Sequence, residues 1–268
     1  MEKKVVLITG GSSGIGRTTG IFLKKKGYTV YGTTRNLAKN PDFTDFNLLE
    51  LDVTTTASIE AAVTKLIEAE GRLDILINNA GVGITGPIEE TPIAEVHKTF
   101  DTNYYGPLRM LQVVLPHMRK QGAGLIINIT SIAGYMGLPY RGIYSASKAA
   151  LEITTEALRM ETKAFGVTIT NLAPGDFATN IAAGRYHAPV SGQSAYHSYE
   201  KTLKMINDDV DAAEDPIKVA EKIVGILEAK KPRVHYKVGT FMQKFSVVLK
   251  KFLPDKVYER LLLNHYKL

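Results

Sequence analysis

The chain has 268 residues, 44% of them hydrophobic, and no cysteine, so one sizeable core is possible while disulfides and thiolate metal sites are excluded. No apolar run is long enough to cross a bilayer, and the apolar stretch at Val5–Ile8 is too short for a signal peptide, which fits a reducing cytoplasm. The net charge of +6 is not evenly spread: residues 230–268 hold ten Lys/Arg against two Asp/Glu and the remainder is slightly acidic, so the basic character is local and is no footprint for nucleic acid.

In chain order, short β-rich runs alternate with helix-length amphipathic segments. Strands are expected at 4–9, 29–34, 46–51, 74–78, 124–129, 167–173 and 234–238. Helices are expected at 14–26, 56–70, 92–120, 142–164 and 216–229. The crossover at 36–44 is short and polar. The strands carry Val, Ile and Leu on both faces, which parallel sheets require, so the pattern predicts a doubly wound parallel α/β sheet in three layers, α/β/α, within one domain. Residues 180–215 break the rhythm with Ala, Gly, Ser, Tyr and His just past a strand's C-terminal end. They form either a substrate lid or a loosely packed surface insertion.

The first strand runs into Thr9-Gly10-Gly11-Ser12-Ser13-Gly14-Ile15-Gly16 and then into the first helix. Glycines in that order allow a tight turn and close approach of backbone to a pyrophosphate, and the helix N-terminus offers free N–H groups to phosphate. The second strand ends in Thr33-Thr34-Arg35 with no acidic residue to accept a bond from a ribose 2′-hydroxyl. Arg35 can instead pair with a 2′-phosphate, so NADP(H) is the expected cofactor.

Tyr144 and Lys148 open a helix at i and i+4, on one face. A free tyrosine titrates near ~10, too high for acid–base work at neutral pH, and a nearby ammonium lowers it. Ser131 follows the fifth strand at the sheet edge where ligands bind, and Asn78-Asn79-Ala80-Gly81 follows the fourth. Asn103 lies inside a long helical region, where its propensity is poor and a packing or functional reason is expected. Pro174-Gly175 ends the sixth strand, and Thr179 beyond it can bond a carboxamide.

Together these residues resemble the short-chain dehydrogenase/reductase family. The glycine loop, Asp52-Val53, Asn78-Asn79-Ala80-Gly81, Asn103, Ser131, Tyr144-x-x-x-Lys148 and Pro174-Gly175 fall in the family's order over residues 4–240. The resemblance implies a Rossmann fold and hydride transfer between a nicotinamide and a ketone or secondary alcohol. It implies that Tyr144 is the acid/base, that Lys148 lowers its pKa and binds ribose, that Ser131 polarises the carbonyl and that Asn103 holds a relay water. It also places Asp52 and Val53 beside the adenine, the Asn79 region beside the adenosine ribose, and Thr179 on the carboxamide, and suggests a homodimer or homotetramer through the helices at 92–120 and 142–164. Asp176 stands where the family usually has an apolar residue, and it either shapes the lid or caps a turn.

Residues 237–268 form a basic, amphipathic helical extension to a catalytic domain at 1–236. Val238, Phe241, Met242, Phe245, Val248, Leu249, Phe252 and Leu253 recur at helical spacing with Lys237, Lys244, Lys250 and Lys251 between them, and Pro254 stops the helix. This helix caps the substrate cleft or a subunit interface, or attaches peripherally to anionic lipid. A cap of this kind suits a lipophilic substrate such as a steroid, a retinoid or a long-chain keto-lipid of the 3-ketosphinganine type. Two other readings are a non-catalytic NADP-binding sensor or scaffold, and a nucleotide-sugar epimerase or dehydratase. The first predicts a broken catalytic set and the second a larger C-terminal domain. His97, His117, His187 and His197 are not at metal-ligand spacing, and no metal is expected.

Overall fold

The computed structural model describes residues 3–177, 184–190, 194–211 and 214–268. Its centre is a seven-stranded, all-parallel sheet built from β1 (Val5–Ile8), β2 (Thr29–Thr34), β3 (Asn47–Glu50), β4 (Ile75–Asn78), β6 (Gly124–Ile129), β7 (Val167–Pro174) and β9 (His235–Val238), in the order β3-β2-β1-β4-β6-β7-β9. A second, two-stranded sheet pairs β5 (Ile84–Thr85) with β8 (Tyr186–His187).

Period-two alternation sorts β1 into both cores. Val5 and Leu7 join Ile59, Val63 and Leu66 of α2 (Thr56–Glu70) and Met110 and Val114 of α4 (Gly106–Gln121) on one face. Val6 and Ile8 join Leu23 of α1 (Gly14–Lys25) and Val219, Ile223 and Ile226 of α7 (Ile217–Leu227) on the other. A strand buried on both faces has no room for polar side chains, which is why it reads as an unbroken apolar run. Strand order reverses between β1 and β4, and in open parallel sheets ligands bind past the strand C-terminal ends at such a switch point.

The helical region expected at 92–120 runs without a gap from Ile93 to Gln121, but not as one regular α-helix. It divides into α3 (Ile93–Phe100), a π-helical turn at Asp101–Tyr105, and α4. The helix expected at 142–164 is α5 (Gly142–Glu161) followed by a 3₁₀ turn at Lys163–Phe165. The described part of the irregular region carries β8 and α6 (Tyr199–Asp211). The basic extension folds as two helices, α8 (Phe241–Phe252) and α9 (Asp255–Tyr266). Thr240 caps α8 through a reciprocal box with Gln243. No helix among the described residues is long and apolar enough to cross a membrane.

Candidate active site

The glycine loop after β1 is held from behind by β4. The Thr9 hydroxyl accepts from the backbone N–H groups of Asn79 (2.9 Å) and Ala80 (3.0 Å), and the Asn79 amide donates to the carbonyls of Thr9 (2.9 Å) and Gly10 (3.2 Å). Gly10 and Gly14 adopt φ of +66° and +50°, and a Cβ on Gly16 would lie 2.3 Å from the Gly10 carbonyl oxygen. Ser13 starts α1 without a side-chain cap, Ser12 is half-buried, and Ile15 packs on the core below. The first N–H groups of α1 therefore stand at the switch point with no side chain bonded to them, a seat that fits a pyrophosphate.

At the end of β2, Thr33 accepts from the Gly10 N–H (3.1 Å) and Thr34 from the Asn40 amide (3.1 Å). Arg35 is exposed and, among the described residues, has neither an ion-pair nor a hydrogen-bond partner. Beyond β3, Asp52 accepts from the Thr54 N–H (2.9 Å) and hydroxyl (2.8 Å), closing a turn, and Val53 is buried against Gly106.

The π turn explains an asparagine inside a helical region. Asn103, 0% exposed, turns its side chain onto the loop after β4: its Oδ1 accepts from the Val82 N–H (2.8 Å) and its Nδ2 donates to the Val82 carbonyl (2.9 Å) and the Ser147 hydroxyl (3.1 Å). Ser147 in turn donates to the Tyr144 carbonyl (2.8 Å), so Asn103 fixes the first turn of α5. Both amide protons are thereby taken, and Oδ1 keeps one lone pair beside Gly81. A Cβ on Gly81 would lie 3.2 Å from that oxygen and 3.4 Å from the Lys148 ammonium nitrogen, so a small residue is required here.

Ser131, Tyr144 and Lys148 meet past the end of β6. The Ser131 hydroxyl accepts from the Ala133 N–H (3.2 Å), opening a 3₁₀ turn at Ile132–Tyr135. Lys148 is buried, donates to the Ile129 carbonyl (3.0 Å) and lies 6.0 Å from the Tyr144 ring centroid. Burial pulls its pKa down to about 8. Burial raises the Tyr144 pKa, and the Arg141 charge and the Ser131 hydroxyl oppose it.

Arg141 is a residue that sequence reasoning missed. It stands at i−3 from Tyr144, with its guanidinium carbon 5.8 Å from the ring centroid. It pairs with Asp176 (3.6 Å), and Tyr266 near the end of α9 also favours its charged form. Asp176 also accepts from the Gln243 amide (3.0 Å). Asp176 thus joins the end of β7 to Arg141 at the start of α5 and to Gln243 of α8. The one signal for this in the sequence was its replacement of an apolar residue, and nothing local marked Tyr266. The Arg185 guanidinium, packed on Gly83 and bonded to Asn207 (3.2 Å), adds a second positive influence on Tyr144.

Pro174 and Gly175 lie at the same sheet edge. The Pro174 carbonyl faces the Ser131 hydroxyl at 3.5 Å, and the Gly175 N–H donates to Val238 (2.8 Å). A Cβ on Gly175 would meet the Gln243 side chain at 2.1 Å, so part of the space beside this glycine is filled by α8. Thr179 lies outside the described residues, as does part of the region expected as a lid. His187 bonds the Thr85 hydroxyl (2.7 Å), which ties β8 to β5. Among the described residues no group of three His, Asp or Glu side chains is placed to hold a metal.

A family model described as short chain dehydrogenase matches residues 4–189. A 3-ketodihydrosphingosine reductase of Bacteroides thetaiotaomicron is 39% identical over 261 residues, covering 97% of this chain and 96% of that protein. The crystal structure of a short-chain dehydrogenase from Streptomyces avermitilis superposes with a TM-score of 0.83 at 31% identity, covering 99% of this chain and 97% of that one. ElxO with NADP bound superposes with a TM-score of 0.72 at 28% identity, covering 88% of this chain and 97% of that one.

Proposed function

The chain belongs to the short-chain dehydrogenase/reductase family, and from that membership we propose that it is an NADP(H)-dependent reductase of a ketone on a lipophilic substrate, of the long-chain keto-lipid class. The observation that carries the reading is the meeting of Ser131, Tyr144 and buried Lys148, whose ammonium lies 6.0 Å from the Tyr144 ring centroid, at the strand edge that also holds the glycine loop. When bound, the nicotinamide supplies the hydride and the protein supplies position and protons.

The residues present fit such a cofactor. The cradle formed by Gly10, Gly14 and Gly16 and the open N-terminus of α1 suit the pyrophosphate, and the gap at Gly81 suits a ribose within reach of Lys148. Arg35, exposed and unpaired, suits a 2′-phosphate, in keeping with the NADP bound by ElxO. Asp52 and Val53 stand at the next strand end, where an adenine edge fits.

Ser131 and Tyr144 each carry a hydroxyl that can donate to a carbonyl oxygen as it gains charge during reduction. Tyr144 donates its proton to that oxygen. Its raised pKa keeps it protonated at neutral pH, as an acid in this direction must be. Lys148, with Asn103 beside it, replenishes the proton, and a pKa near 8 suits that transfer. The keto-lipid assignment rests on the name of the Bacteroides relative and on the apolar wall that Met136, Leu138 and the C-terminal helices build beyond Ser131. Self-association through α4 and α5 is supported by Ile153 and Met160, 67% and 72% exposed on α5.

The test is NADPH and NADH oxidation against ketones graded from small aldehydes to steroids and 3-ketosphinganine, with Tyr144→Phe as control. Turnover of the long-chain ketone with NADPH, lost in the variant while NADPH still binds, is expected. Substantial turnover by Tyr144→Phe would sink the mechanism, and preference for NADH would overturn the role given to Arg35.

A further inference from the structure

α8 is apolar on two sides. Val247, Leu249 and Leu253 pack with Tyr258 and Leu262 of α9 against Ile132, Met136 and Ala173, directly past Ser131. Another side carries Phe241, Phe245, Val248 and Phe252, spaced at i, i+4, i+7 and i+11 to share one helical face, with Met242 at its margin. Phe241, Met242 and Phe252 are 71%, 66% and 75% exposed, and Phe241 stacks on Phe245 at 5.5 Å. Val257 and Leu261 of α9 are exposed as well. Among the described residues nothing covers this face. Exposed apolar side chains on soluble proteins are mostly scattered singly, and a contiguous set of this kind marks an interaction surface.

We propose that the α8–α9 face docks on an anionic lipid bilayer, with the Phe and Met side chains entering the acyl boundary and the lysines at headgroup level. Charge selects this occupant. Lys244, Lys251, Lys256 and Arg260 are all exposed around the apolar face, within a segment of ten Lys/Arg against two Asp/Glu. A two-fold contact between copies sets a surface against itself, so a second chain would bring this positive field against its own image. Anionic headgroups complement it. The exposed α5 side chains Ile153 and Met160 offer a separate surface for self-association.

The docking face shares a helix with the wall of the site. Gln243 bonds Asp176 (3.0 Å), and the Ser246 hydroxyl approaches the Met136 sulfur at 3.9 Å. A bilayer under α8 therefore lies close to the mouth through which a lipophilic ketone would enter. That last consequence rests on the proposed reaction, whereas the docking does not.

The experiment is flotation of the full chain with vesicles of phosphatidylcholine alone or mixed with phosphatidylglycerol, at low and high salt. Partition onto the mixed vesicles is expected to exceed that onto phosphatidylcholine by about tenfold at low salt and to fall with salt. F241S/F252S is expected to abolish it, and K244E/K251E to lower it by about tenfold or more. Circular dichroism and NADPH binding unchanged in both variants show that the fold is intact. No partition onto anionic vesicles would overturn the proposal. So would unchanged partition by F241S/F252S together with loss of an oligomer by mass measurement, which would assign the face to a second copy. Turnover is not a readout here, so failure of the reaction assignment leaves the outcome legible.

Discussion

The guanidinium of Arg141 lies over the ring of Tyr144, 5.8 Å from its centroid, and pairs there with Asp176. A cation in this place stabilises the phenolate, because the two opposite charges meet where little water screens them. Lys148 donates to the Ile129 carbonyl, and among the positive charges that bear on the Tyr144 pKa Arg141 stands first.

Arg141→Gln removes that stabilisation. The Tyr144 pKa rises further, and the acidic limb of alcohol oxidation, where the phenolate is the base, is expected to move up by about one pH unit. Arg141→Lys restores most of the shift and Tyr266→Phe gives a smaller one. A pH–rate profile of kcat/KM reads it. An unchanged limb in Arg141→Gln would remove Arg141 from the acid–base unit.

Lys148 gives a stability signature. Its folded pKa of about 8 is below its ordinary value, so between those pH values the unfolded chain holds a proton that the folded chain has lost. Stability of the cofactor-free protein is therefore expected to rise with pH through that window, by about 3 kcal/mol in total, and the penalty is present in full below it. Lys148→Met is expected to be more stable at pH 7 by a similar amount and to lack the slope. Urea denaturation from pH 7 to pH 10 measures both.

Gly175 and Gln243 interlock. A Cβ on Gly175 would sit 2.1 Å from the Gln243 oxygen, which also closes the α8 capping box. Gly175→Ala is expected to cost about 1–3 kcal/mol, and Gln243→Ala about 1 kcal/mol. The double variant should cost less than the sum, since the clash disappears with the glutamine. Additive losses in a thermodynamic cycle would contradict the contact.

Arg35→Ala is expected to raise KM for NADPH by about tenfold to a hundredfold and to leave NADH almost unchanged, because the lost contact is with the 2′-phosphate alone. Equal losses with both cofactors would place Arg35 elsewhere in the site.

The parallel order of the sheet is legible in the sequence because strands such as Val5–Ile8 must satisfy two cores at once and so carry apolar residues without interruption. Gly16 and Gly81 are legible because close approach leaves no freedom of residue type. Asn103 stands out by poor helix propensity, yet the π turn around it does not, since such a turn widens the helix without disturbing the apolar pattern enough to show. Arg141 and Asp176 are 35 positions apart in the chain, and Tyr266 lies 90 positions beyond Asp176. Their meeting depends on how the last helices fold back across β7, a tertiary fact with no local periodicity. The amphipathic period of α8 is legible as a pattern, but the second apolar side, which packs on Met136 and Tyr258, is not.

The influence of Tyr266 on Arg141 also orders events during synthesis. A chain leaves the ribosome N-terminus first, and its early segments fold as they emerge. The glycine loop and β1 through β7 are complete while the codon for Tyr266 is still unread. A nascent chain thus completes the strands that carry the glycine loop, Ser131 and Tyr144 before the last helix, which bears on Arg141, exists.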